Sequence, residues 1–169
     1  RGAGNNGFGI KALYYGYNKG LTIRNNSIYV PRREGSEWDF SIELLHNLGG
    51  IEIYNNQILG RLDVSATTPP GGVFAATDEG GYGFALKIYD NLIGHDSLCS
   101  GTEVGIDLEH DITGGVYIYR NHIRNVYKGV ALTMSGNQED IYIYYNLIDS
   151  IGQDGTTQGQ GIGFSGTGS

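Results

Sequence analysis

Leu21-Thr22-Ile23-Arg24-Asn25-Asn26-Ser27-Ile28 decides the fold of this chain, because the same phrase is written five times. The pattern is apolar-x-Ile-x-x-Asn-x-Ile. It returns at Ile51 to Ile58, Leu86 to Ile93, Val116 to Ile123 and Ile141 to Ile148. The repeated asparagines Asn26, Asn56, Asn91, Asn121 and Asn146 stand 30, 35, 30 and 25 residues apart. A fixed phrase at such a period marks a solenoid, in which each repeat buries its apolar face only by stacking on the next.

A second, weaker phrase lies between the first ones. It reads Gly/Ser-apolar-x-apolar at Gly9 to Ala12, Ser41 to Leu44, Gly105 to Leu108, Gly129 to Leu132 and Gly161 to Phe164, with Gly72 to Ala75 as its match in the third repeat. Both phrases alternate with period two and are rich in β-branched residues, so each period is expected to hold two short strands separated by Gly/Asn/Asp turns. No segment carries a three-turn amphipathic helix, which excludes helical repeat arrays. The expected architecture is therefore all-β: a parallel β-helix of about six coils, with each strand paired to its counterpart about 4.8 Å away. Right-handed winding follows from the handedness of parallel crossovers. Ile23, Ile53, Ile88, Ile118 and Ile143 are predicted to form one inward ladder. Leu21, Ile51, Leu86, Val116 and Ile141 form a second, and Ile28, Ile58, Ile93, Ile123 and Ile148 a third. The asparagine row is read as structural, satisfying backbone groups at a left-handed turn.

Composition agrees with this reading. The 29 glycines have no collagen period, and 39 % apolar residues exclude a disordered tail. A net charge of −7 with no basic stripe excludes a phosphate-neutralising nucleic-acid binder. The single cysteine, Cys99, excludes an internal disulfide. No apolar run is long enough to insert in a membrane. The chain of residues 1–169 reads as one domain. It opens on Arg1 with no leader and shows no capping segment at either end, so it is expected to be part of a longer chain. Contact with neighbouring domains or subunits, through an end or a face, is expected for the same reason.

Two outward faces carry the candidate chemistry. One bears Tyr54, Tyr89, Tyr119 and Tyr144 at one outward position, with Tyr117 and Tyr142 at the other. Aromatic rings with a polar tip suit a substrate-binding surface for sugars, and equally suit a covered face or a plain surface ladder. Trp38, in the excursion Pro31 to Asp39, is a further sugar platform or a lid, and Lys11 a further binding residue. The other face stacks Lys11, Glu43, Phe74, Asp107, Ala131 and Gly163, with His46, Glu109, His110 and Asp111 farther along. Glu43, His46, Asp107, Glu109 and His110 are the candidate catalytic set, because glycosidic cleavage needs a positioned acid and base. Asp107, Glu109 and Asp111 are a candidate Ca²⁺ set. Solvated charges on an outward strand are the plain alternative. His95, Asp96 and Cys99 are too sparse for a zinc site.

With these phrases the chain resembles the right-handed parallel β-helix superfamily, the pectate-lyase-like fold of polysaccharide lyases, glycosidases, epimerases and phage tailspikes. The resemblance spans essentially the whole chain and implies fold more strongly than activity. The paired Asp-Asp, Gly-His-Gly and Arg-x-Lys of galacturonase-like members do not occur, nor does the Asp-Pro-His of alginate epimerases. What the resemblance implies is a secreted or cell-surface protein that cleaves or binds an acidic glycan, as a lyase or a glycoside hydrolase. The alternative is a non-catalytic stalk, adhesin or tailspike segment.

Overall fold

The computed structural model describes residues 8–12, 20–29, 40–45, 50–59, 71–77, 85–94, 104–110, 115–134, 140–152 and 159–166. They contain strands and turns and no helix, so no helix among them is long and apolar enough to cross a membrane. The strands come in sets of three. The first set is β1 (Phe8–Ala12), β2 (Thr22–Arg24) and β3 (Ser27–Tyr29). The second is β4 (Phe40–Leu45), β5 (Ile51–Tyr54) and β6 (Gln57–Leu59). The third is β7 (Gly71–Thr77), β8 (Leu86–Tyr89) and β9 (Leu92–Gly94). The fourth is β10 (Val104–His110), β11 (Val116–Tyr119) and β12 (His122–Arg124). The fifth is β13 (Lys128–Met134), β14 (Ile141–Tyr144) and β15 (Leu147–Asp149), followed by β16 (Gln160–Gly166).

Each member of a set belongs to a different sheet. One six-stranded sheet runs β1-β4-β7-β10-β13-β16; two five-stranded sheets run β2-β5-β8-β11-β14 and β3-β6-β9-β12-β15. Neighbouring strands in all three are parallel. The chain thus visits three parallel sheets in turn and returns to the first, an all-β arrangement compatible with a β-helix or other solenoid.

The period holds three strands where alternation alone suggests two. The repeated phrase is split by a corner. The residue before each repeated asparagine takes a left-handed backbone: Asn25 (φ 57°), Asn55 (φ 53°), Asp90 (φ 55°), Arg120 (φ 53°) and Tyr145 (φ 55°). The left-handed residue is the neighbour, not the repeated asparagine itself. Two of the five are residues that ordinarily avoid this conformation, which costs roughly 1–2 kcal/mol for a side chain without local hydrogen bonding.

The repeated asparagine repairs the corner. Asn91 Oδ1 accepts from the backbone N–H and the Nδ2–H of Asn56, each at 3.0 Å. Its Nδ2 donates to the carbonyls of Ile53 (2.9 Å) and Tyr89 (3.0 Å) and to Asn121 Oδ1 (3.0 Å). Asn26, Asn56, Asn121 and Asn146 continue the same chain of bonds. Buried amides in register therefore satisfy backbone groups that the turn would leave without partners.

The predicted ladders are present as backbone columns. Ile23, Ile53, Ile88, Ile118 and Ile143 are in register across the second sheet, and Ile28, Ile58, Ile93, Ile123 and Ile148 across the third. Ile53, Ile88, Ile118, Ile93 and Ile123 are fully enclosed, together with Ile42, Leu44, Ile106 and Leu108 of the six-stranded sheet. Enclosing each is worth roughly 1.5–3 kcal/mol. Ile141, Ile143 and Ile148, in the last row, are only partly buried.

The glycine of the second phrase has a packing reason. A Cβ at Gly105 would come within 2.5 Å of Ile123 Cγ2 and 2.7 Å of the Gly129 carbonyl oxygen. At Gly129 it would come within 2.6 Å of Ile148 Cγ2. The isoleucine column of the third sheet fills the space that a side chain would need.

Candidate functional site

The outward side of the second sheet carries the tyrosines. Strand alternation sends Ile53, Ile88 and Ile118 inward and Tyr54, Tyr89 and Tyr119 outward. Because the strands are parallel and in register, like falls on like. Tyr54 and Tyr89 stack with centroids 4.8 Å apart, Tyr89 and Tyr119 at 4.9 Å, and Tyr119 and Tyr144 at 5.2 Å, all within 7° of coplanar. A second pair, Tyr117 and Tyr142, stacks at 5.1 Å. These distances are those of favourable offset stacking. Tyr145 meets Tyr144 edge-on at 5.5 Å and is 85 % exposed.

Stacking decides what the ladder can offer. The faces of Tyr89 and Tyr119 are met by rings on both sides, so a sugar has access to their edges and hydroxyls rather than to a flat ring. Tyr142 and Tyr144, in the last row, are 47 % and 40 % exposed. The face is a row of phenol rims at the spacing of the strands.

Charges beside the row are paired across repeats. Arg120 grips Asp90 with two bonds, Nε to Oδ1 at 2.9 Å and Nη2 to Oδ2 at 2.7 Å. Its guanidinium carbon lies 5.0 Å from the Tyr119 ring centroid and 5.9 Å from that of Tyr89, in cation–π range. The Asp90 carboxylate raises the Arg120 pKa still further. Lys87 Nζ meets Glu52 Oε1 at 3.2 Å, and Arg24 Nη1 donates to the Tyr54 hydroxyl at 3.2 Å. The Tyr89 phenol is raised above its ordinary pKa, first by partial desolvation and then by Glu52 and the neighbouring phenols. Tyr89 therefore stays un-ionised at neutral pH.

The six-stranded sheet brings the second set together by backbone register. Lys11 pairs with Glu43, Glu43 with Phe74, Phe74 with Asp107, Asp107 with Ala131, and Ala131 with Gly163. The column is the one that phrase alignment predicts. Asp107 is not a solvated outward carboxylate: it is 4 % exposed and has an interaction partner. Glu109 and His110 follow it on β10 and pair with Ala76 and Thr77. His46, Asp111 and Trp38 lie outside the described residues. Among the described residues no group of three or more His, Cys, Asp or Glu is arranged to hold a metal ion.

Two groupings escape the sequence reading. The Arg120–Asp90 pair occupies the residue just before the repeated asparagine in neighbouring repeats, and only register makes them meet. His122, at the variable position after the repeated Asn121, sits with Nε2 2.7 Å from Asp149 Oδ2. That bond, with a second from Ser150, lowers the Asp149 pKa. A charge-complementary pair at equal offset from two repeated asparagines is the signal that would have found the first. His122 and Asp149 sit at different offsets, so no such rule finds them.

Comparison of the chain with protein-family models, curated proteins and solved structures returned no match.

Proposed function

We propose that the chain is a right-handed parallel β-helix of about six coils, from a secreted or cell-surface protein, that binds a polysaccharide along its tyrosine-bearing face. Right-handed winding is favoured because parallel crossover connections almost always take that hand. The observation that carries the binding reading is the in-register row Tyr54, Tyr89, Tyr119 and Tyr144 on the outward side of the second sheet, spaced at 4.8 to 5.2 Å. A linear glycan is also a periodic array of hydroxyls, and a periodic surface meets it with many weak contacts that add through avidity. The test is retention on immobilised polysaccharides, neutral and uronate-containing. Loss of retention in a Tyr89→Ala, Tyr119→Ala variant that keeps the wild-type circular dichroism supports the reading. Absence of retention on every polysaccharide would leave the structural or adhesive module as the better description.

A second reading is cleavage by the six-stranded sheet. It is favoured by the register column that places Lys11, Glu43 and Asp107 in line. Two strand spacings, roughly 10 Å, separate the backbones of Glu43 and Asp107. An inverting hydrolase sets its two carboxyl groups farther apart than a retaining one, so on this reading inversion is the expected outcome, and the enclosed Asp107 would have to be uncovered for a glycan to reach it. In a lyase the same groups would neutralise a uronate and remove its C5 proton. Release of reducing or unsaturated ends that vanishes in Glu43→Gln, with the fold intact, is the expected result. No product from any glycan sets this reading aside.

A further inference from the structure

The charge arrangement on the tyrosine face selects among glycans, an inference that rests on the reading of this face as a glycan-binding surface. Its described cations are Arg24, Lys87 and Arg120. Lys87 is held by Glu52, and both carboxylate oxygens of Asp90 are engaged by Arg120. Arg24 is directed at the Tyr54 hydroxyl. Asp140 adds a third carboxylate, 3.5 Å from the Tyr142 hydroxyl. Two of the three cations are thus seated on carboxylates and the third on a phenol hydroxyl, on a chain whose net charge is −7. A polyuronate would bring about one negative charge per sugar. It would have to displace carboxylates already seated on their cations, against the overall repulsion of an acidic protein.

The neutral groups of the face are the ones in a periodic row. Four phenols lie in register from β5 to the residues of β14, each presenting one O–H that both donates and accepts. A sugar hydroxyl is matched by that group without any change of charge. The advance per sugar in an extended 1,4-linked pyranose chain is close to one strand spacing. Successive sugars along the stacking direction would then meet Tyr54, Tyr89, Tyr119 and Tyr144 in turn.

We infer that the tyrosine face takes an uncharged, extended, linear glycan lying along the stacking direction, with about one sugar per repeat. The acidic glycan expected from the family resemblance is disfavoured at this face by the internally paired charges. Affinity is expected to rise with chain length up to about four sugars, the number of phenols in the row, and then to level off. It is expected to change little between low and moderate salt, because no ion pair forms with the ligand.

The experiment is calorimetric titration with xylo-, cello- and manno-oligosaccharides of two to six units, and with oligogalacturonates of the same lengths, at two salt concentrations. The expected result is binding of a neutral series with the length dependence above. Tyr89→Phe with Tyr119→Phe keeps the stacked rings and removes two hydroxyls, and should weaken that binding roughly tenfold. Glu52→Gln with Asp90→Asn frees Lys87 and Arg120, and should create salt-sensitive binding of oligogalacturonates. Binding of oligogalacturonates alone by the wild-type protein, falling with salt, overturns the uncharged class while leaving a glycan-binding face. Neutral binding that is indifferent to loss of the two hydroxyls overturns the phenol row as its site. Failure of every oligosaccharide and polymer to bind overturns the glycan reading itself.

Discussion

Asn91→Ala should be among the most destabilising single changes in the protein, and the asparagine ladder shows why. Asn91 is buried at the middle of the ladder. Its Oδ1 is the acceptor for the Asn56 backbone N–H, and its Nδ2 serves the Ile53 carbonyl. Alanine leaves both buried groups without that partner. Each unsatisfied buried group costs about 1–3 kcal/mol, so a loss of roughly 3 kcal/mol is expected. With an m-value of about 2 kcal/mol/M, the urea midpoint should fall by about 1.5 M. Asn26→Ala supplies the internal control. Asn26 is exposed, and Asn56 Oδ1 still accepts from the Asn26 backbone N–H when the side chain is gone. That change should cost under about 1 kcal/mol. Urea unfolding followed by circular dichroism measures both. Equal midpoint shifts for the two variants would refute the argument, since it rests on burial and on the orphaned partner rather than on residue type. Asn91→Asp sharpens the test. Its second oxygen would face the Ile53 and Tyr89 carbonyls and Asn121 Oδ1, all acceptors. The folded-state pKa of that carboxyl is raised, so the variant should lose further stability as pH rises above the unfolded value of about 3.9.

Other changes test other links. Gly105→Ala should cost about 1–3 kcal/mol by overpacking against Ile123, whereas Gly161→Ala should stay within about 0.5 kcal/mol. The two share a column, but a Cβ at Gly161 meets nothing within 4 Å. Tyr145→Asn replaces a strained left-handed tyrosine by the residue found at the same corner in Asn25 and Asn55. It should gain about 1 kcal/mol of backbone energy and lose about 0.5 kcal/mol of edge contact with Tyr144, giving a slightly higher urea midpoint. Asp149, whose pKa is lowered by bonds from His122 and Ser150, contributes stability above the unfolded carboxyl pKa and loses it as pH falls through the lower folded value. Stability curves of wild type and Asp149→Asn should therefore differ at neutral pH and converge at acid pH. A constant gap would show that the carboxylate is not the cause.

Much of the architecture was legible because the repeat is chemical. Isoleucine at fixed offsets from an asparagine can be aligned by eye, and alignment in a parallel stack is register. The columns of Ile53, Ile88 and Ile118, and even the less obvious match of Phe74 to Asp107, come from that alone. The third strand of each period was not legible, because the corner is a backbone event. It falls on Asn, Asp, Arg or Tyr without a common side-chain signature.

The site was legible only in outline. Alternation along a strand determines which residues face outward, so sequence alone put Tyr54, Tyr89, Tyr119 and Tyr144 on one side and the phrase with Lys11, Glu43 and Asp107 on another. What those side chains present to a ligand depends on neighbours one repeat away. Stacking at about one strand spacing turned ring faces inward on one another and left hydroxyl rims. Register brought Arg120 onto Asp90 and Lys87 onto Glu52, engaging the charge that an acidic ligand would need. Enclosure took Asp107 from solvent. Periodicity is a property of the chain and can be read from it. Charge pairing, burial and the aspect of a ring are properties of contacts between distant residues, and only the tertiary structure decides them.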